Sequence, residues 1–163
     1  MNTRYPPEHY AKTENSIGYL SRVVFRTFSR VLERRTLEYG VSAGQWRFLR
    51  QLWLQDGITQ RELSERVGMR EPTTVVALRS LEAAGFIERK KRPDDRRKTY
   101  IYLTPTARKL EDKLKPINAE IHEMATVGLS FEEVETLRNL MIRIYTNLKQ
   151  EEKNLPTLSD ITA

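Results

Sequence analysis

Apolar residues recur at intervals of three and four along most of this chain, which is the spacing of amphipathic α-helices. The spacing predicts helices at about 16–38, 42–54, 59–67, 72–84, 104–127 and 130–148. Two shorter runs, Phe86-Ile87 and Tyr100-Ile101-Tyr102-Leu103, are instead typical of β-strands. The pattern therefore predicts a mainly α protein with a small β-hairpin.

The two central helices carry clear start and stop signals. Thr59 and Glu62 form a capping box, in which each side chain accepts a hydrogen bond from the other residue's free backbone N–H. Gly68 ends this helix, and Pro72 stands at the first-turn position of the next, where its missing N–H costs nothing. Gly85 follows as a left-handed stop. Two short helices in tandem are therefore predicted.

The segment between the two β-runs is Arg89-Lys90-Lys91-Arg92-Pro93-Asp94-Asp95-Arg96-Arg97-Lys98, which is too polar to be buried. Two helices followed by a basic hairpin match the winged helix-turn-helix, whose second helix enters the DNA major groove. The hairpin would be the wing. The predicted fold class is mainly α with a β-hairpin wing, a winged helix-turn-helix flanked by N- and C-terminal dimerisation helices.

The flanking helices have their own signals. Capping boxes at Ser42–Gln45 and Ser130–Glu133 open two of them, and Pro116 is expected to kink the helix between them. The last two helices carry apolar seams that a small core could not cover, so we expect them to pair with another subunit. The predicted parts are an N-terminal arm and dimerisation helix (1–40), a winged helix-turn-helix DNA-binding core (41–104), C-terminal dimerisation helices (105–153) and a flexible tail (154–163).

The charge distribution agrees with this division. The net charge is +6 and the isoelectric point is near 9.6. Basic residues outnumber acidic ones in 16–50 and 58–103, whereas acidic residues are in excess from 104 onward. A basic excess in the first two thirds is expected if one face meets a polyanion, although a generally basic protein remains the alternative.

Several function classes are excluded or disfavoured by composition. The chain has no cysteine, which removes disulfides, thiol redox sensing and cysteine nucleophiles. His9 and His122 are too far apart for a recognisable metal motif, and no cofactor is expected. No nucleophile–base pair or phosphate loop indicates an enzyme. No apolar run is long enough for a membrane span, so a cytoplasmic protein is expected.

The sequence resembles the MarR (multiple antibiotic resistance regulator) family of winged-helix transcriptional regulators. The matching segments are Ile58-Thr59-Gln60-Arg61-Glu62-Leu63, Leu81-Glu82-Ala83-Ala84-Gly85-Phe86-Ile87-Glu88-Arg89, and Asp94-Asp95-Arg96-Arg97 leading to Leu103-Thr104. The resemblance implies a homodimer with interlocked terminal helices, whose two recognition helices read a pseudo-palindromic operator in double-stranded DNA.

The resemblance also implies a functional pair in the wing. Asp95 would orient Arg97, and Arg97 would enter the minor groove, where negative potential attracts it. Arg96 and Lys98 complete the predicted DNA-binding set of the wing. The alternative is an Asp–Arg bridge that only stiffens the hairpin.

The predicted recognition helix departs from the family pattern, because Val75-Val76 stands where many relatives have Thr-Arg. The remaining candidates for DNA contact are Arg70, Thr73, Thr74 and Arg79. Arginine can grip guanine, and threonine can read base edges, although a phosphate or backbone contact is equally compatible with each threonine.

The resemblance further suggests a small effector, often an aromatic acid, that binds between the dimer helices and the winged lobe and weakens DNA binding. The candidate effector-binding residues are Arg22, Phe25, Arg26, Phe28, Tyr39, Trp46, Arg47 and Trp53. Aromatic residues at helical spacing are more often core than ligand site. A stripe of four arginines four residues apart faces ligand, DNA or solvent: Arg22, Arg26, Arg30 and Arg34. If the stripe faces the ligand, it would suit a larger anion such as an aromatic acyl-CoA.

Two functions are therefore weighed. The first is a homodimeric, sequence-specific transcriptional regulator, a repressor released by a small anionic aromatic effector. The alternative is a non-specific architectural DNA-binding protein, which would bind with steep salt dependence and little sequence preference. The Val75-Val76 departure favours the alternative, and the predicted dimer helices favour the regulator.

Overall fold

The computed structural model describes residues 12–93, 95 and 97–154. The predicted tail beyond 154, the N-terminal arm up to residue 11, and Asp94 and Arg96 of the wing lie outside the described residues. The chain divides into two compact units, the first ending at Ile121 and the second beginning at His122.

Among its described residues, the first unit contains four complete α-helices, most of a fifth α-helix and a three-stranded sheet. In chain order these are α1 (Ile17–Thr36), α2 (Ala43–Leu54), β1 (Ile58–Thr59), α3 (Gln60–Val67), α4 (Glu71–Ala83), β2 (Ile87–Lys90), β3 (Tyr100–Leu103) and α5 (Pro105–Ala125). The end of α5 belongs to the second unit, together with α6 (Phe131–Asn154). The predicted fold class, mainly α with a small hairpin wing, is confirmed.

All three predicted capping boxes are present. Ser42 with Gln45 opens α2, and Thr59 with Glu62 opens α3, with both reciprocal hydrogen bonds formed in each case. At the start of α6, Ser130 N–H donates to Glu133 Oε2 (2.7 Å) and Glu133 N–H donates to Ser130 Oγ (3.2 Å). Local side-chain chemistry therefore determines where these helices begin.

The sheet contains a strand that the sequence pattern did not reveal. The strand order is β1-β3-β2 with antiparallel pairing, and Ile58 of β1 lies opposite Ile101 of β3. Because β1 has only two residues and one of them is the cap of α3, it carries no alternation of its own. Phe86 lies just outside β2, since its N–H donates to Leu81 O and closes the end of α4.

The predicted end of the first long helix is adjusted. The first long helix was expected to reach Glu38, but α1 ends at Thr36 and a 3₁₀ turn follows. The buried Thr36 hydroxyl donates to Val41 O (2.6 Å), which draws the chain into the turn before α2. Pro116 lies inside α5, which continues to Ala125.

One hydrophobic core joins the helix-turn-helix, the sheet and the first part of α5. Its largest fully buried apolar side chains are Phe48, Leu49, Leu52, Leu63, Leu78, Leu81, Ile87, Ile101, Leu114 and Val41. Trp53 adds a polar link between α2 and α5, because its indole N–H donates to Ala107 O (3.0 Å). In the described part of the chain, no helix has the length and apolar character needed to cross a membrane.

The capping box of α3 generates a prediction about pH. The Glu62 carboxylate accepts hydrogen bonds from the Thr59 hydroxyl (2.6 Å) and the Thr59 N–H (2.7 Å), and these bonds hold the pKa of Glu62 below its ordinary value. A carboxyl whose pKa is lowered by folding contributes stability above its unfolded pKa and loses it as the pH falls through the folded pKa. We therefore expect Glu62→Gln to lower the melting temperature at neutral pH, with the difference becoming smaller as the pH falls below about 4.5.

Thermal unfolding of both proteins across this pH range measures the effect. Thr59→Val removes the hydroxyl that makes the largest contribution to the shift, so in that background Glu62→Gln should show much less pH dependence. A melting-temperature difference that stays constant with pH would contradict the prediction.

Candidate nucleic-acid interface

Helix α4 has one buried side and one exposed side. Leu78 and Leu81 are fully buried in the core, while Arg70 at the N-cap, Thr73 and Arg79 are exposed. The side chain of Val76 is also outside, with an exposed fraction of 66%. The exposed side therefore offers two guanidinium groups, a hydroxyl and an apolar surface, which are the groups that read the edges of base pairs.

Thr74 corrects one of the sequence-based expectations. Its side chain is fully buried, and among the described residues its Oγ1 has no hydrogen-bond partner. Helical spacing places Thr74 on the same side of α4 as Leu78 and Leu81, against the core. Of the two candidate threonines, only Thr73 is presented at the surface.

The position of α4 is held by polar contacts at several points. Gln45 caps α2 through its Oε1, and its Nε2 donates to Ser80 Oγ of α4 (3.0 Å). Near the end of α4, Glu82 forms an ion pair with Arg89 of β2, and the hydrogen bond from Arg89 lowers the pKa of Glu82. The capping role of Gln45 was predicted from sequence, but its contact with a helix 35 residues away was not.

In the wing, Asp95 contacts the backbone of Arg97 and the side chain of Lys98. Asp95 Oδ1 accepts a hydrogen bond from the backbone N–H of Arg97 (3.1 Å), and its other oxygen pairs with Lys98 Nζ (3.2 Å). The hydrogen bond from Lys98 is the main cause that holds the pKa of Asp95 below its usual value. Asp95 therefore orients the backbone of Arg97, and the Arg97 side chain is exposed.

A surface cavity of about 270 Å³ connects the wing with the helix-turn-helix. It is lined by Thr59, Gln60, Arg61, Glu71, Arg97, Lys98 and Thr99. Arg97 and Lys98 thus lie beside the first residues of α3 and of α4. Two of the predicted wing residues, Arg97 and Lys98, therefore adjoin the helix-turn-helix, and Asp95 contacts both of them. Arg96 lies outside the described residues.

Four of the predicted effector residues are aromatic side chains that lie in or against the core. Trp46 is 4% exposed and meets Trp53 edge to face with ring centres 5.4 Å apart, so both tryptophans belong to the core region. Phe28 and Tyr39 pack partly buried against the core. Each of these four aromatic side chains therefore contributes to the packing of the core.

The arginines of the predicted set lie outside the core. The Arg47 guanidinium stacks on the Phe25 ring (4.7 Å), and Arg22 stacks on Tyr19 (5.3 Å). Arg26 is exposed on α1. Arg22 and Arg26 are therefore accessible to an anion from the solvent.

A second cavity, of about 200 Å³, lies between α2 and α3. Its lining residues are Trp46, Arg47, Arg50, Gln51, Arg66 and Val67. Only Trp46 and Arg47 were identified from sequence. Arg50 and Arg66 come from different helices, so no periodicity along the chain could have brought them together.

Comparisons with known proteins agree with this geometry. The family model described as MarR family matches residues 41–99. The HTH-type transcriptional regulator YybA of Bacillus subtilis (strain 168) is 30% identical over 113 residues, covering 68% of this chain and 74% of YybA. The organic hydroperoxide resistance transcriptional regulator of the same organism is 27% identical over 144 residues, and the match covers 86% of this chain and 92% of that regulator. The crystal structure of the S. aureus MepR–DNA complex has a TM-score of 0.76 and 25% identity, covering 81% of this chain and 98% of MepR.

A winged helix-turn-helix with an exposed second helix and a basic wing defines a DNA-binding transcriptional regulator. The chain belongs to the MarR family of such regulators, which are not enzymes. The resemblance noted in the sequence is thereby confirmed.

Two buried hydroxyls in the helix-turn-helix allow a matched prediction. The Ser64 hydroxyl donates to Met69 O (2.6 Å) in the turn between α3 and α4, whereas the Thr74 hydroxyl has no partner in the part of the chain that the structure describes. An unsatisfied buried polar group is costly, so Thr74→Val should raise the free energy of unfolding by about 1 kcal/mol. Ser64→Ala should lower it by about 1–3 kcal/mol, because Met69 O loses its donor.

Chemical denaturation of the two variants and the unchanged protein measures both effects. Equal destabilisation by the two substitutions would mean that the Thr74 hydroxyl has a partner in solution.

Proposed function

We propose that the protein is a homodimeric, sequence-specific transcriptional repressor that binds a pseudo-palindromic operator and is released by a small anionic aromatic effector. It would act in the cytoplasm, where its DNA target is. The observation that carries the proposal is the exposed side of α4 next to the basic wing within one compact unit. In a winged helix-turn-helix, one domain contacts the major groove with its second helix and the minor groove with its wing, and α4 and the basic wing have this arrangement.

In this proposal the base-reading residues of α4 are Arg70, Thr73 and Arg79. Arg79 and Arg70 suit guanine, and the exposed Val76 suits the methyl group of thymine. Arg97 enters the minor groove, with Arg96 and Lys98 on the flanking phosphates. Val76 thus replaces the arginine of many relatives with an apolar contact, which keeps a sequence-reading role for this position.

The homodimer is supported by exposed apolar surface on two helices. On α1 it comprises Ile17, Leu20, Val23, Val24 and Phe25, each at least 39% exposed. On α6 it comprises Leu137, Leu140, Met141, Ile142, Tyr145 and Leu148, each at least 44% exposed. Soluble monomers rarely leave apolar surface of this extent uncovered. A second copy of the chain that covers both faces would supply the twofold symmetry of a palindromic operator.

The effector proposal is supported by uncompensated positive charge around the cavity between α2 and α3. Arg47, Arg50 and Arg66 line it, and within the described residues none of them has a carboxylate within 4.0 Å. Two of the guanidinium groups are already held, Arg47 by the Phe25 ring and Arg66 by Gln55 Oε1 (2.8 Å). Guanidinium groups that are already fixed in position lose little conformational entropy when they bind a carboxylate, which favours binding.

Trp46 and Val67 give the same cavity an apolar wall, which suits an aromatic body. The exposed Arg22 and Arg26 of α1 would reach further anionic groups if the effector were a CoA thioester rather than a free acid. Release of DNA requires that the effector prefer a conformation whose recognition helices do not match the operator spacing.

Selection from genomic DNA tests the regulator against the architectural alternative. The purified protein is incubated with random genomic fragments and with its own upstream DNA at two salt concentrations, and the bound fragments are sequenced. We expect one inverted repeat to be retained at the higher salt, because base contacts add to the salt-sensitive phosphate contacts.

Arg79→Ala should weaken binding to that repeat by about tenfold or more, whereas Arg138→Ala on α6 is the matched control and should have no such effect. Uniform recovery of fragments that is lost at higher salt would instead establish a non-specific architectural binder.

The effector site is tested with benzoate, using benzamide as an uncharged control of the same shape. Trp46 lines the cavity and is one of two tryptophans in the chain, so fluorescence reports binding there. We expect a saturable change with benzoate only, weakened about tenfold or more by Arg50→Gln or Arg66→Gln, since each removes a charge-assisted hydrogen bond. Arg143→Gln on α6 is the control.

An equal response to benzamide, or no saturable response to benzoate, would contradict an aromatic-carboxylate site. Weaker DNA binding by Arg50→Gln in the absence of benzoate would assign the cavity to a DNA phosphate instead.

A further inference from the structure

Arg92, at the base of the wing after β2, makes contacts in three directions. Its Nη2 donates to Gly57 O (2.9 Å), its Nε donates to Tyr102 Oη (2.9 Å), and its guanidinium carbon lies 4.0 Å from the centre of the Tyr100 ring. Tyr100 and Tyr102 are on the same face of β3, because side chains two apart in a strand share a face. Arg92 therefore joins the wing to the segment that precedes α3.

The site that receives Arg92 is sterically restricted. Gly57 has φ +67°, and a Cβ at this position would lie 2.9 Å from Tyr102 Cε1 and 3.3 Å from Arg92 Nη2. The N–H of Gly57 donates to Ile101 O (2.7 Å), so the same residue is bound to β3 and to Arg92. Only glycine allows the close approach of these three groups.

A chain of hydrogen bonds continues from Arg92 to the tip of the wing. The Arg92 carbonyl accepts from Asp95 N–H (3.2 Å), and Asp95 Oδ1 accepts from Arg97 N–H (3.1 Å). The backbone position of Arg97 is thus linked through Asp95 and Arg92 to Gly57, two residues before the cap of α3.

We propose that Arg92 is a positioning residue that holds the wing against Gly57 and Tyr102, so that Arg97 stays at a set position relative to α4. The inference rests on the proposed DNA contact of Arg97. A wing ordered before binding loses less conformational freedom on DNA, which strengthens the complex. The role is separate from charge, because the Arg92 guanidinium is engaged with the protein.

Lysine does not replace arginine at such a site. Its ammonium group lacks the planar fork that donates to Gly57 O and Tyr102 Oη together, and it lacks the flat face that stacks on Tyr100. Arg92→Lys therefore keeps the charge but removes the clamp. Because Pro93 follows residue 92, trypsin does not cleave after it in either protein, and the substitution leaves the cleavage sites of the wing unchanged. Lys91→Arg, at the neighbouring exposed residue, is the matched control, because it likewise keeps the charge and leaves the number of cleavage sites in the wing unchanged.

The first measurement needs no DNA. The full chain is treated with limiting trypsin, and the rate of cleavage within the wing is measured by mass spectrometry, with circular dichroism as the check on folding. We expect faster wing cleavage in Arg92→Lys, a smaller increase in Tyr102→Phe, and no change in Lys91→Arg. Equal wing cleavage in Arg92→Lys and the unchanged protein would overturn the clamp, whatever the DNA results.

The second measurement is a double-mutant cycle with Arg97→Ala, using the duplex selected by the unchanged protein, or a mixed-sequence duplex at low salt if none is selected. We expect Arg92→Lys to weaken binding by up to about tenfold, which is the scale of losing one preordered side chain. In the Arg97→Ala background the same substitution should change affinity by less than about twofold, because coupled residues are not additive.

Additive effects, or unchanged affinity of Arg92→Lys despite faster cleavage, would overturn the positioning role. Failure of the regulator proposal is seen separately, as the absence of a selected sequence with the unchanged protein.

Discussion

The wing and the helix-turn-helix are held together by β3, the strand between β1 and β2. Ile101 of β3 lies opposite Ile58 on one side and opposite Arg89 on the other. Ile101 and Leu103 are buried in the core, and the alternate residues Tyr100 and Tyr102 face Arg92. A shift of one residue in register would exchange these two faces. The position of the wing is therefore a consequence of the packing of the core.

The second requirement is that α4 be attached to the core without losing its exposed side. Leu78 and Leu81 attach it by burial, and the contacts of Ser80 with Gln45 and of Glu82 with Arg89 hold its second half. The cations on its exposed side and in the wing remain uncompensated, since in the described residues no carboxylate pairs with Arg70, Arg79 or Arg97. Unpaired guanidinium groups on a rigid helix are suited to phosphate and base edges, because no existing ion pair has to be broken.

Helix α2 connects the two proposed sites. Gln45 near its start anchors α4, and Arg47 and Arg50 further along line the cavity shared with α3. An anion bound in that cavity would therefore act on the helix that positions the recognition helix. A shift of α2 is the physical step by which an effector would change the geometry of DNA contact, provided that the effector prefers the shifted state.

The sequence by itself determined the features that depend on neighbouring residues. Thr59 with Glu62, Ser42 with Gln45 and Ser130 with Glu133 mark helix starts, because a capping box is formed by two residues within one turn. The order of elements and the basic wing were sufficient to indicate the class of protein and its family.

The tertiary structure decided what depends on contacts between distant residues. The two-residue β1 exists only because β3 pairs with it, and Thr74 is excluded from the surface because that side of α4 meets the core. Trp46 was drawn into the core, whereas Arg66 was brought from α3 to the cavity beside Arg47. The contacts of Arg92 likewise depend on the tertiary structure, since its partner Gly57 is 35 residues earlier in the chain. A linear pattern records which side chains are present, but only the folded chain decides which of them meet.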